Sequence, residues 1–149
     1  MSKKELKRLA LIFDLDGVTW PDDCWPDIAN EDTEMISLIA RLCMCDMVDV
    51  IINTCRMGDA LCGAVDVLYM CGVSKIYMNK NTPERRAFYG SDPSKPSGDR
   101  YYDDRAYGYH RDGVVAELKD VLAIAALTPA DELRVRVLEY FAERTADNG

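Results

Sequence analysis

The sequence predicts an α/β fold built on a mainly parallel sheet with helices on both faces. Two patterns predict it: apolar runs of strand length alternate with amphipathic stretches of helical spacing, and the apolar runs end in polar residues. That alternation implies right-handed crossovers between parallel strands, and ligands of such sheets gather beyond the carboxyl ends of the strands.

The elements follow in order. Residues 8–13 (RLALIF) are a compact apolar run, and Asp14-Leu15-Asp16-Gly17 is its exit. Residues 18–30, with two Trp and two Pro, read as a loop or short hairpin. From 31 to 44, Met35, Ile36, Ile39, Leu42 and Cys43 recur at helical spacing behind acidic residues, with Asn30 as N-cap. Residues 47–54 (MVDVIINT) form a second strand that turns polar at Asn53 and Thr54. Residues 57–71 are a helix closed by Gly72, and 74–79 (SKIYMN) a short third strand. Residues 80–98 change character, rich in Pro, Gly, Ser and Asn: a long loop with room for one helical turn. Residues 99–104 (DRYYDD) give a fourth strand ending in paired acids, and 114–127 a helix. Thr128-Pro129 starts a last helix to about Glu143, whose apolar face of Leu133, Val137, Leu138 and Phe141 is expected on the sheet.

At 149 residues the chain is expected to be one domain over 1–149, long enough to close a core without staples. No segment approaches the roughly 20 apolar residues of a membrane span. The basic N-terminus runs straight into the first strand without a signal-peptide core, which predicts a cytoplasmic protein. Cys24, Cys43, Cys45, Cys55, Cys62 and Cys71 fall within helix and strand patterns and are read as reduced thiols. Their spacing is unlike a structural zinc site. A net charge of −8 weighs against nonspecific attraction to a polyanion and leaves a local contact with a nucleic-acid end open.

Three predicted strands end in polar groups at one edge: Asp14 and Asp16, then Thr54, then Asp103 and Asp104. Carboxylates gathered there repel one another unless a cation joins them, and Mg²⁺ suits a set of one or two carboxylates completed by water and phosphate. In extended chain Asp14 and Asp16 point to the same side while Leu15 points into the core. One carboxylate can then attack phosphorus while its neighbour carries a proton, and Gly17 lets the backbone turn sharply. Thr54 and Lys95 are suited to the phosphoryl oxygens. A Ca²⁺-binding EF loop fits poorly, because Gly17 directly follows the second acid and a strand precedes it. His110 reads as a helix-start residue, and Arg56 and Arg105 as partners of nearby acids. Trp20 and Trp25 suit either base stacking or anchoring of their loop. Met35, Met44, Met47, Met57, Met70 and Met78 read as core filler.

FDLDGV, VIINTCR, a lysine before the next strand, and YYDDR, in that order, resemble the four motifs of the haloacid dehalogenase-like (HAD) superfamily. CRMGDAL, VLYMCGVSKIYMNKN and YGSDPSKPSGDRYYDDR resemble its small capless hydrolases from bacteria and phages, over residues 8 to 108. The resemblance implies a three-layer α/β/α Rossmann-like fold and phosphomonoester hydrolysis through an aspartyl-phosphate. Asp14 would be the nucleophile and Asp16 the general acid/base, its main-chain carbonyl on Mg²⁺. Thr54 would bind the phosphoryl group, and Lys95 would be the third-motif lysine, with Lys80 as rival. Asp103 and Asp104 would hold the metal directly or through water. Only about 30 residues separate Gly17 from the second strand, so no cap domain is expected. Open sites of this superfamily serve large substrates or are closed by oligomerisation. The expected substrates are therefore phosphorylated small molecules, nucleotides or polynucleotide ends. The alternative is a catalytically silent HAD-fold binding or regulatory domain. A response-regulator receiver domain carries similar residues in a different order, and C–halogen hydrolysis would leave the second acid and metal carboxylates without a role.

Overall fold

The structure is a computed structural model that describes residues 5–21, 33–90 and 96–148. Among them, β1 (Leu9–Asp14), β2 (Val48–Asn53), β3 (Ile76–Met78) and β4 (Arg100–Tyr102) form one all-parallel sheet in the order β3-β2-β1-β4. The helices are α1 (Thr33–Cys43), α2 (Gly58–Met70), α3 (Pro83–Tyr89), α4 (Arg111–Leu127) and α5 (Leu133–Asn148), the last entered through a 3₁₀ turn at Ala130–Glu132.

β1 lies between β2 and β4, so its residues are buried on both faces, which is why it reads as an unbroken apolar run. Leu9, Leu11 and Phe13 share a core with Val48, Val50 and Ile52 of β2, Met35 and Ile39 of α1, Leu68 of α2, Leu118 of α4 and Val137 of α5. Leu133, Val137 and Phe141 are buried, as the last helix's apolar face leads one to expect. Burying such side chains contributes about 1.5 to 3 kcal/mol each, and this core is the main source of stability. Phe13 stacks on Tyr102 with ring centroids 4.8 Å apart, which ties the short β4 to β1.

Ala10, Ile12 and Ile51 point the other way and are also buried. Gly98 lies so close to Ile12 that a Cβ there would come within 2.9 Å of its side chain. Asp99 then donates its backbone N–H to Ala10 O (2.7 Å) and accepts the Ala10 N–H (3.0 Å). Its carboxylate also pairs with Arg85 of α3 and Arg134 of α5, both at 2.8 Å.

The 80–98 stretch holds more than a helical turn. Thr82 caps α3 by accepting from the Arg85 N–H, Pro83 opens the helix, and Gly90 closes it with φ +70°. That is the usual Thr-Pro start and glycine stop, short enough to be hidden among loop-forming neighbours. α4 begins three residues before the expected 114, because His110 caps it, its Nδ1 accepting from Gly113 N at 3.0 Å. Met44, Met57 and Met70 are solvent-exposed rather than core filler. The described cysteines are free, and burial pushes the Cys43 thiol up to about 11. Asn30, Cys24, Trp25 and Lys95 lie outside the described residues. Among the described residues no helix is long and apolar enough to cross a membrane.

Candidate functional site

The chain direction over the sheet reverses between β1 and β4: β1 leads toward β2 and β3, and β4 returns to the opposite flank. In open parallel sheets this switch point, beyond the carboxyl ends, is where a crevice forms. Asp14 ends β1 opposite Asn53 of β2, and Asp103 and Asp104 follow β4.

The turn after β1 is tightly tied. The Thr19 backbone N–H and hydroxyl both donate to Asp14 O (3.2 and 2.9 Å), Trp20 N–H donates to Leu15 O, and Gly17 N–H to Trp20 O. Gly17 sits at φ +96°, and a Cβ there would overlap the Asp104 carboxylate. Both its backbone angle and its lack of a side chain are therefore required.

Asp14, Asp103 and Asp104 each offer a carboxylate oxygen, and these atoms all lie within 4.8 Å of one another, a spacing one cation can bridge. Burial, a hydrogen bond with Asp103 and the charges of Asp103 and Asp104 push the Asp14 carboxyl up to about 7, Arg105 offsetting part of this. The turn after β4 is fixed by Arg105 N–H donating to Asp103 Oδ1 (2.9 Å) and Ala106 N–H donating to Asp103 O.

Asp16 takes a different course. Its carboxylate accepts from Arg56 Nε (2.8 Å) and Nη2 (2.6 Å) and from Trp20 Nε1 (3.0 Å). Burial works to raise the Asp16 carboxyl, but the Arg56 and Trp20 donors overcome it and hold it below its ordinary value. The Asp16 carboxylate is thus paired with Arg56 and Trp20 and does not join the three-acid cluster. Thr54 Oγ1 accepts from the Arg56 backbone N–H (3.0 Å), while Thr54 N–H donates to Asn79 Oδ1 (2.7 Å). A cleft of about 360 Å³ is lined by Asp14, Leu15, Asp16, Asn53, Thr54, Cys55, Asp104 and Arg105. That volume is at the small end of ligand sites.

The structure therefore brings five of the expected residues together, Asp14, Asp16, Thr54, Asp103 and Asp104; Lys95 lies outside the described residues, and the rival Lys80 is exposed. Arg56 pairs with an acid, as expected. Trp20 is buried and hydrogen-bonded to Asp16, so it anchors its turn and presents no face to a base. Sequence reasoning missed Asn79, at φ +54° after β3, and the Asn53 to Tyr101 hydrogen bond of 2.6 Å. Burial and then the charges of Asp14 and Asp103 raise the Tyr101 phenol, which marks it as a neighbour of the cluster. The one available signal was that Asn53 and Asn79 both follow strand runs.

Fold and site together define a parallel α/β protein whose carboxylates converge at the sheet's switch point. No protein-family model matches the chain, and no curated protein matches it either. A solved structure of a conserved protein from Bacteroides thetaiotaomicron is similar, with a TM-score of 0.60 and 22% identity, covering 76% of this chain and 91% of that one. At that identity the likeness shows the fold, a Rossmann-like α/β arrangement, alone.

Proposed function

We propose that this protein is a Mg²⁺-dependent phosphomonoester hydrolase of the HAD type, with the three-layer α/β/α arrangement and no cap domain. The observation that carries the reading is the convergence of Asp14, Asp103 and Asp104 beside Asp16 and Thr54 in one cleft. Three carboxylates with oxygens within 4.8 Å of one another fit a hard divalent cation, and Gly17 leaves the room Asp104 needs beside the turn. Asp14, Asp103, Asp104 and the Asp16 main-chain carbonyl would hold Mg²⁺. When bound, it supplies charge neutralisation to the phosphoryl oxygens.

An Asp14 oxygen attacks phosphorus in line, forming the Asp14 O–P bond as the ester P–O bond breaks. Asp16, ionised in the resting site by its Arg56 and Trp20 donors, takes up the proton of the phosphomonoester monoanion and hands it to the departing alkoxide. A water then attacks the aspartyl-phosphate phosphorus, its proton passes to Asp16, and phosphate leaves as the Asp14 O–P bond breaks. The Thr54 hydroxyl, its oxygen already accepting from Arg56 N–H, has its proton left to donate to a phosphoryl oxygen, and Lys95 adds positive charge. Phosphorylated small molecules and nucleotides fit the acidic chain better than long nucleic acids do, though a polynucleotide end remains within this class. The protein acts in the cytoplasm, alone or as a homo-oligomer.

Hydrolysis of p-nitrophenyl phosphate with Mg²⁺ tests this. Wild type turns over, and Asp14→Asn loses at least about 10³-fold in kcat. No turnover by either protein with any phosphomonoester screened would overturn the hydrolase and favour a phosphate-binding domain.

A further inference from the structure

We propose that Arg56 is the positioning residue of the site, aiming the Asp16 carboxylate at the cleft; this rests on the reading of Asp16 as the proton carrier. Asp16 lines the cleft, whereas Arg56, which holds its carboxylate, is buried and is not among the lining residues. Two parallel N–H···O bonds of 2.8 and 2.6 Å fix the carboxylate plane as well as its position, which a single donor does not do.

Arg56 is itself held. It is 3% exposed, its Nη1 donates to Ala60 O at 3.3 Å in the first turn of α2, and its guanidinium lies 5.9 Å from the centre of the Trp20 ring. Trp20, in turn, donates to Asp16 Oδ1, the oxygen that also accepts from Arg56 Nη2. The backbone of Arg56 does a second job, its N–H fixing the Thr54 hydroxyl oxygen. One residue therefore sets the aim of two side chains that converge on the cleft, one by its main chain and one by its side chain.

That division makes the inference testable, because truncating the side chain spares the backbone bond to Thr54. Steady-state kinetics on p-nitrophenyl phosphate with Mg²⁺ compares wild type, Arg56→Ala, Asp16→Asn and the double variant, with urea unfolding as the folding control. Arg56→Ala lowers kcat about 10²-fold, the scale of a misplaced catalytic group, and moves KM far less. In the Asp16→Asn background the same truncation costs less than about 3-fold, because the group it positions is already disabled. Arg56→Lys keeps the charge but not the fork and recovers little, while added guanidinium ion partly restores Arg56→Ala. Trp20→Phe, which keeps the ring and removes one donor, lowers kcat roughly 5-fold in wild type and has no effect beside Asp16→Asn. If either truncation costs as much in the Asp16→Asn background as in wild type, with turnover still dependent on Asp14, the pair is only structural and this inference fails alone. A wild type without Asp14-dependent turnover fails both the inference and the reading it rests on.

Discussion

Two groups of acids in this molecule have opposite surroundings. Asp99, at the entry to β4, is buried between Arg85 and Arg134, and these guanidiniums with the Ala10 N–H outweigh the burial that would raise its carboxyl. Glu117 on α4 is matched in the same way by Arg100 and Arg144. At the other end of the strands, Asp14 finds its strongest neighbours in two further carboxylates, and its proton affinity moves the opposite way. The fold neutralises the acids that hold it together with its own arginines. Those at the carboxyl edge are left crowded, an arrangement that a divalent cation relieves. Asp16 belongs to both groups, paired like a structural acid yet lining the cleft.

The comparison can be broken most forcefully at Asp99. Asp99→Ala strands the buried Arg85 without its counter-charge and should lower folding stability by about 3 kcal/mol, read from the urea midpoint. A loss below about 1 kcal/mol would mean the network is solvated and contributes little.

Magnesium is the next lever. At a hundred times its dissociation constant it should stabilise the folded protein by about 2.7 kcal/mol, and far less after Asp14→Asn with Asp103→Asn. The pH dependence has two limbs of opposite sign. Asp99, held below its unfolded value of about 3.9, stabilises the fold above that value and loses this as pH falls through its folded value. Asp14, raised above its unfolded value, favours the fold at low pH and loses this as pH climbs through about 7. Thermal scans without metal should therefore show an Asp14-dependent loss of stability between about pH 4 and 7 that levels off above, with Mg²⁺ flattening that limb. An unchanged limb in Asp14→Asn would assign it to other groups.

The smallest effect concerns the space between the two strand ends. Gly17→Ala should cost about 1 kcal/mol of backbone strain and displace Asp104, weakening Mg²⁺ binding roughly 10-fold by calorimetry. Unchanged affinity would show that Asp104 is not a ligand.

Local patterns carried much of this protein. β1 and β2 were legible because central parallel strands are apolar on both faces, and α1 because its apolar stripe is regular. α3 was hard to read because seven residues carry too little periodicity to stand out from a Pro- and Gly-rich stretch. The exposure of Met44, Met57 and Met70 was not legible, since hydropathy says which residues favour burial and not how far a particular helix face is covered. Of the site, the Asp14-x-Asp16-Gly17 exit and the paired acids after β4 were visible one strand at a time.

By itself the sequence determined where the strands and the longer helices run and that the exits of β1 and β4 are acidic, because periodicity and chain reversal are local properties. The tertiary structure alone decided that Asp103 and Asp104 meet Asp14, that Arg56 takes Asp16, and that Trp20 turns inward. Those contacts span from four to about 90 residues of chain, and they form only when strand order and packing bring β1, β2 and β4 side by side, which no short window of sequence contains.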